Sequence, residues 1–454
     1  MNKVFGMISL GCDKNRVDGE RLLGEVRRHG CPITDDPEKA QVLIVNTCAF
    51  LNAAREEAIR TIIEGNVLRS GNLEKIVVTG CLPQKFIDEL FPALTEGDVF
   101  LGVSDCSELF PALERAYAGE RVNAVGTGCE GLERVITTPP HIKYLKIADG
   151  CFNHCTYCLI PSIRGKYRSY SLESLVAEAK SLGETQELVL VAQDTTRYGE
   201  DTGKNQFVEL LRKLSELDNI CHIRLLYCYP EVVTDELIAE VRDNPKIIKY
   251  LDIPLQHSED RILKLMGRRG TRADYLALIA KLRREIPQIA LRTTFIAGFP
   301  TETEEEHEAL KSFLKEARFE NCGFFAYSRE EGTPAYKLKG QIPARVKQRR
   351  VKALYGVQEA LSYERLQTFV GHTVKVLCDE IDYEKSCFAG HAAFQAYDVD
   401  GKVFFHAPRA EMGRYYDVLV ERVDEADLYG HADEADLYGH ADTVSDKISA
   451  ESEA

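Results

Sequence analysis

From residue 1 to about 135, short apolar runs trade places with amphipathic stretches. Positions 3–10 read as a strand, 17–29 as a helix with one apolar face, 42–46 as a strand buried on both sides, 53–68 as a helix and 75–79 as a strand. That alternation predicts a parallel α/β sheet. A breaker cluster at Thr137-Thr-Pro-Pro140 then opens a second unit. Six strand patterns follow, around 143–148, 187–192, 222–227, 249–253, 289–296 and 322–327, and all but the last lead into a helical pattern. Six such repeats predict an open (β/α)6 partial barrel, with 345–367 as a helix leading out. Short strands at 373–377, 388–397, 402–406 and 416–423, with turns such as Asp400-Gly401, predict a small antiparallel β-barrel. Beyond it Asp424-Glu-Ala-Asp-Leu-Tyr-Gly-His-Ala432 is copied at 433–441. Two copies are too few for a solenoid, so this stretch reads as a disordered acidic tail. The expected domains are therefore 1–136, 141–365, 366–423 and a tail at 424–454.

A chain of 454 residues suits this division, at about 150 residues per domain. No apolar run approaches the ~20 residues of a membrane-spanning helix. The apolar stretch at 4–10 before Gly11-Cys12 is short for a lipoprotein signal, has only Lys3 before it, and is followed at once by Asp13-Lys14-Asn15-Arg16. A cytoplasmic protein without a membrane partner is expected. The net charge of −15 is local: residues 366–423 carry 6 basic and 9 acidic side chains, and 424–454 carry 1 and 10. An acidic C-terminal unit disfavours RNA phosphates and suits a basic protein partner.

Fourteen cysteines in a reducing compartment point to ligands, catalysts or packing rather than disulfides. The strongest signal is Gly150-Cys151-Phe-Asn-His-Cys155-Thr-Tyr157-Cys158, after the first barrel strand. Such a C-x3-C-x2-C triple is expected by chance only about 0.01 times per chain. Structural zinc usually shows four ligands in paired spacing, whereas three thiolates leave one iron of a 4Fe-4S cluster open to a substrate or cofactor. Cys12, Cys48 and Cys81 each stand just past the carboxyl end of a strand in the first sheet, the edge where parallel sheets bind ligands. Taken together they read as a second metal site. Cys31, Cys106, Cys129, Cys221, Cys228, Cys322, Cys378 and Cys387 share no spacing and read as packing residues.

The cysteine spacing, Tyr157 and the six βα repeats resemble the radical S-adenosylmethionine superfamily. The two triads together resemble its methylthiotransferases, over almost the whole chain, with a TRAM barrel at the C-terminus. Ser9-Leu-Gly-Cys-Asp-Lys-Asn-Arg-Val-Asp18, Val191-Ala-Gln-Asp-Thr-Thr-Arg-Tyr-Gly199, Tyr227-Cys-Tyr-Pro230 and Tyr250-Leu-Asp-Ile-Pro-Leu-Gln-His257 resemble the ribosomal-protein branch, the RimO type. The tRNA branch usually has Gln-Met-Asn after the first cluster cysteine. Pro300-Thr301-Glu302 stands where Pro-Gly-Glu is usual, and Gly390-His391 where the barrel segment usually starts Gly-Arg.

The resemblance implies two 4Fe-4S clusters, one on Cys151, Cys155 and Cys158 and one on Cys12, Cys48 and Cys81. It implies two S-adenosylmethionine molecules, one a methyl donor and one a radical source, and methylthiolation of the β-carbon of an aspartate in ribosomal protein S twelve. A low-potential electron donor and a sulfur source are implied as partners. Tyr157, Gln193, Asp194, Ile296 and Gly298 are the expected cofactor contacts, the last two within Thr294-Phe-Ile-Ala-Gly-Phe-Pro-Thr-Glu302. His257 is read as structural. Two other functions stay open: a tRNA adenosine methylthiotransferase, favoured by the basic run Arg345, Lys347, Arg349, Arg350 and Lys352, and a non-catalytic iron-sulfur sensor.

Overall fold

Three sheets order the chain in a computed structural model that describes residues 1–129 and 133–432. The first is parallel, in the order Ile33–Thr34, Phe5–Ser9, Val42–Thr47, Lys75–Gly80, Val99–Phe100, Val122–Asn123. Val42–Thr47 is buried at every position, as a strand covered by helices on both faces must be. Its register sets Ser9 beside Asn46 and Asn46 beside Thr79, so three adjacent strands end level with one another.

The second sheet is the expected open half-barrel. Its six parallel strands run, from one edge to the other, Asn321–Ala326, Ala290–Ala297, Ile247–Asp252, Ile220–Leu225, Thr185–Val191 and Ile142–Lys146. Helices pack outside it around a core that includes Leu188, Leu225, Leu251, Leu291 and Phe295. A two-stranded ribbon, Ala148–Asp149 with Arg168–Ser169, closes the base of the long loop that carries Cys151, Cys155 and Cys158.

The third sheet is a closed five-stranded barrel made of Thr373–Asp382, Cys387–Ala392, Val403–His406, Leu428–His431 and Tyr415–Val423. Two expectations are corrected here. The strand expected at 388–397 ends at Ala392, and the residues after it dock on the half-barrel, where Arg224 donates to the Ala393 carbonyl at 3.1 Å and Asn321 to that of Phe394 at 3.0 Å. The tail expected from residue 424 begins instead as folded barrel. Leu428–His431 pairs parallel with Val403–His406 and antiparallel with Tyr415–Val423, and its Leu428, Gly430 and Ala432 are buried at period two. Gly430 is required there, because a Cβ on it would lie 2.0 Å from the Leu419 carbonyl oxygen. The second repeat copy lies outside the described residues. Among the described residues no helix is long and apolar enough to cross a membrane.

Buried ion networks join the three units. Lys146 of the half-barrel, fully buried, donates to Asp18 of the helix Asp13–Arg28 and to Asp149 at 3.1 Å. On the other side Arg224 and Glu187 form a double hydrogen bond at 2.6 and 3.0 Å, and Glu187 also meets His391 of the barrel at 3.0 Å.

Candidate metal centres

Cys12, Cys48 and Cys81 emerge from the level ends of the three neighbouring strands, and short side chains tie those ends together. Gly11, at φ +121°, turns the chain so closely that a Cβ on it would stand 3.1 Å from Cys48 Cβ. Asn15 donates to the carbonyls of Leu10 at 2.8 Å and Thr47 at 3.2 Å, clamping the Cys12 and Cys48 loops. Thr47 Oγ1 donates to the Thr79 carbonyl at 2.6 Å and accepts from the Leu82 amide, which fixes the Cys48 loop to that of Cys81. Cys12 is exposed, Cys48 half-buried and Cys81 buried. Burial pushes the Cys81 thiol up to about 12, with Arg164 pulling the other way and Cys12 and Cys48 adding to the rise. Burial also raises Cys48, to which Cys12 adds. The three sulfurs therefore share one electrostatic neighbourhood.

In the half-barrel loop, the Asn153 amide donates to Cys151 Sγ at 3.3 Å and the Ile160 amide to Cys158 Sγ at 3.4 Å. Amides aimed at sulfur stabilise thiolates and tune the metal that they bind. Burial first, partly offset by these amides, pushes Cys151 up to about 11 and Cys158 up to about 12. Such thiols release protons when metal binds. Thr156 fastens the loop to the helix Asp260–Met266, its amide donating to the Met266 carbonyl at 2.9 Å and its hydroxyl to that of Leu265 at 2.7 Å. Among the described residues no three His, Cys, Asp or Glu side chains converge as ligands of a single ion would. A four-iron cluster, in which each thiolate binds its own iron, asks for no such convergence.

The residues expected to contact cofactor fall around this loop. Tyr157 and Ile296 pack on the same apolar cluster of Ile262, Met266, Phe299 and Tyr327. Gly298, at φ +76°, ends the strand Ala290–Ala297, and its amide donates to Glu302 at 2.5 Å. Glu302 is buried, and burial pushes its carboxyl up to about 7 although Arg350 lies 3.1 Å away. Asp194, fully buried, accepts from Asn153 Nδ2 at 2.9 Å and Thr196 Oγ1 at 2.7 Å, so it braces the cysteine loop. Gln193 differs: both polar atoms of its side chain are buried without a partner. A buried amide without a partner has both its donor and its acceptor open to a polar ligand. His257 is fully buried 3.9 Å from Glu302.

Four residues that sequence reasoning passed over complete the region. Arg164 joins the two cysteine triads, lying 2.8 Å from Asp18, 3.1 Å from Asp149 and 3.5 Å from Cys81 Sγ. Asn15, Lys14 and Tyr227 all lie within quoted motifs, but nothing in their spacing marked them. Of the cysteines read as packing residues, Cys31, Cys106, Cys228, Cys378 and Cys387 are buried, Cys221 and Cys322 half-buried, and Cys129 exposed.

Family models match each unit: the Radical SAM superfamily at residues 145–314, an uncharacterised protein family, UPF0004, at 4–102, and the TRAM domain at 370–432. The TRAM match ends where the first repeat copy ends. A ribosomal protein uS12 methylthiotransferase RimO from Lachnoclostridium phytofermentans is 45% identical over 439 residues, covering 95% of this chain and 100% of its own. The chain belongs to the RimO methylthiotransferase family. A second RimO, from Caldanaerobacter subterraneus subsp. tengcongensis, is 43% identical over 433 residues, covering 94% of this chain and 99% of its own. Among solved structures, the radical S-adenosylmethionine methyltransferase TsrM from Kitasatospora setae, with cobalamin and a [4Fe-4S] cluster bound, matches with a TM-score of 0.54 at 14% identity. It covers 74% of each chain, a likeness of fold. The chain is thus a radical S-adenosylmethionine methylthiotransferase, and that superfamily works with a 4Fe-4S cluster and S-adenosylmethionine.

Proposed function

We propose that this enzyme methylthiolates the β-carbon of an aspartate in ribosomal protein uS12 in the cytoplasm, using two cysteine triads that each hold a 4Fe-4S cluster. The observation that carries the reading is the pair of triads bridged by Arg164, which stands on the loop after Cys158 and donates to Cys81. When bound, a cluster on Cys151, Cys155 and Cys158 would supply the electron that cleaves S-adenosylmethionine, and one on Cys12, Cys48 and Cys81 would hold the sulfur that is methylated and transferred. The chain's own residues do the positioning. Asn153 and Asp194 hold the cysteine loop against the half-barrel, Gln193 offers its unpaired amide to the cofactor, and Tyr157, Ile296 and Gly298 wall the space for its adenosine. A low-potential electron donor and a sulfur source complete the reaction.

The basic run on the helix Ala344–Gln367 does not favour a tRNA substrate. Arg349 and Arg350 pair with Glu304, Arg350 also with Glu302, and Lys347 donates to the Tyr327 carbonyl at 2.9 Å. Mass spectrometry of uS12 and of tRNA from cells lacking the gene tests the substrate. Loss of the methylthio group from uS12 alone is expected; loss from tRNA with uS12 unchanged would overturn the reading.

A further inference from the structure

Eight Lys and Arg residues are buried among the described residues: Lys14, Arg21, Arg134, Lys143, Lys146, Arg224, Arg268 and Arg350. Seven of them donate to a carboxylate or carbonyl: Arg21 to Glu178, Arg134 to Glu20, Lys143 to Glu184, Lys146 to Asp149, Arg224 to Glu187, Arg268 to Pro254 and Arg350 to Glu302. The side chain of Lys14, a residue only 6% exposed, makes neither an ion pair nor a hydrogen bond among the described residues. Its ammonium lies 3.3 Å from the centroid of the Tyr227 ring. A cation–π contact offsets part of the cost of burying a charge, and an arriving anion would offset more.

Its position gives that anion a meaning. Lys14 stands in the first turn of the helix that follows Cys12. Tyr227 follows the half-barrel strand Ile220–Leu225 and holds a positive φ of 60°, costly for a residue with a side chain. Its hydroxyl donates to Asp13 at 3.0 Å and its amide to Asp252 at 3.1 Å, and its carbonyl accepts from the Thr195 amide at 3.1 Å. Thr195 is next to Asp194, which accepts from Asn153 in the loop of Cys151. Tyr227 is therefore a second link between one triad and the other, and Lys14 stands on it. Asp13, the nearest carboxylate along the chain, is engaged by the Tyr227 hydroxyl and leaves Lys14 unpaired.

We infer that Lys14 is the carboxylate-binding residue for the substrate side chain. The inference rests on the aspartate reading above. Holding the side-chain carboxylate fixes the β-carbon one bond away, between the two triads, while the face of the Tyr227 ring keeps the ammonium in place.

The test uses the reconstituted full-length enzyme and its binding to uS12 and to uS12 with asparagine in place of the target aspartate. Wild type binds the aspartate form more tightly by about 30-fold or more, the loss typical when one partner of a buried charge pair is removed. Lys14→Met binds both forms alike with its iron content unchanged, and Lys14→Arg recovers part of the preference. A Lys14→Met variant that still prefers the aspartate form, or that loses iron, overturns the role of Lys14. A wild-type enzyme that binds neither form overturns the substrate reading, and this inference with it.

Discussion

Arg164 donates to the Cys81 sulfur at 3.5 Å from the short helix Ile160–Arg164 that follows Cys158. One guanidinium therefore touches the triad of Cys12, Cys48 and Cys81 while standing on the loop of Cys151, Cys155 and Cys158. Burial alone would pull its proton affinity down, but Asp18, Cys81 and Asp149 together hold it up. Replacing it with Met leaves Lys146 to serve both carboxylates. Arg164→Met is expected to destabilise the protein by about 3 kcal/mol in denaturant unfolding. It should also raise the ratio of 5′-deoxyadenosine to methylthiolated product at least about tenfold, as positioning of one triad against the other is lost.

Gln193 offers a sign that packing residues would not give. Gln193→Leu removes two buried polar atoms that have no partner, so the ligand-free protein should melt at the same temperature or slightly higher. The same change should weaken S-adenosylmethionine binding about tenfold. A lower melting temperature with unchanged cofactor affinity would mean that Gln193 has a structural role only.

The contact between half-barrel and TRAM barrel should respond to pH through His391. Burial pulls the imidazole down, but Glu187 at 3.0 Å and Asp379 at 2.6 Å raise it to about 9, above the ordinary value of 6.5. A histidine raised in the folded state contributes its stabilisation fully below 6.5 and loses it as pH rises through about 9. His391→Gln should therefore cost up to about 3 kcal/mol at pH 6 and progressively less toward pH 9.5, in denaturant titrations of the full chain. An effect independent of pH would remove the charged histidine from the interface.

Much of the fold could be read from period and spacing, because the half-barrel strands are apolar, regular and separated by helical patterns. The cysteine triple was visible for the same reason: its residues are close in sequence. Asn15, Lys14, Tyr227 and Arg164 were not, since their roles depend on partners such as Thr47, Asp252 and Cys81 that the sequence keeps far away. The closing barrel strand was hidden differently. Leu428, Gly430 and Ala432 alternate as a buried strand should, but they sit in an acidic tandem repeat whose composition resembles a tail.

Truncation separates the two halves of that repeat. A chain ending at Ala432 should keep the cooperative unfolding of the full protein. One ending at Val423 loses Leu428–His431 and exposes the edges of Val403–His406 and Tyr415–Val423, so it should aggregate and unfold earlier. Equal behaviour of the two truncations would show that the strand is not needed for closure.

The central claim is that the two triads do different parts of one reaction. Its most direct test counts iron and products together in anaerobically reconstituted enzyme with uS12 and S-adenosylmethionine. Wild type should hold about eight irons per chain and methylthiolate uS12. The variant with Cys12, Cys48 and Cys81 all changed to Ala should hold about four, still form 5′-deoxyadenosine, and leave uS12 unmodified. Full methylthiolation by that variant, or loss of 5′-deoxyadenosine formation with the Cys151, Cys155 and Cys158 iron intact, would contradict the division of labour.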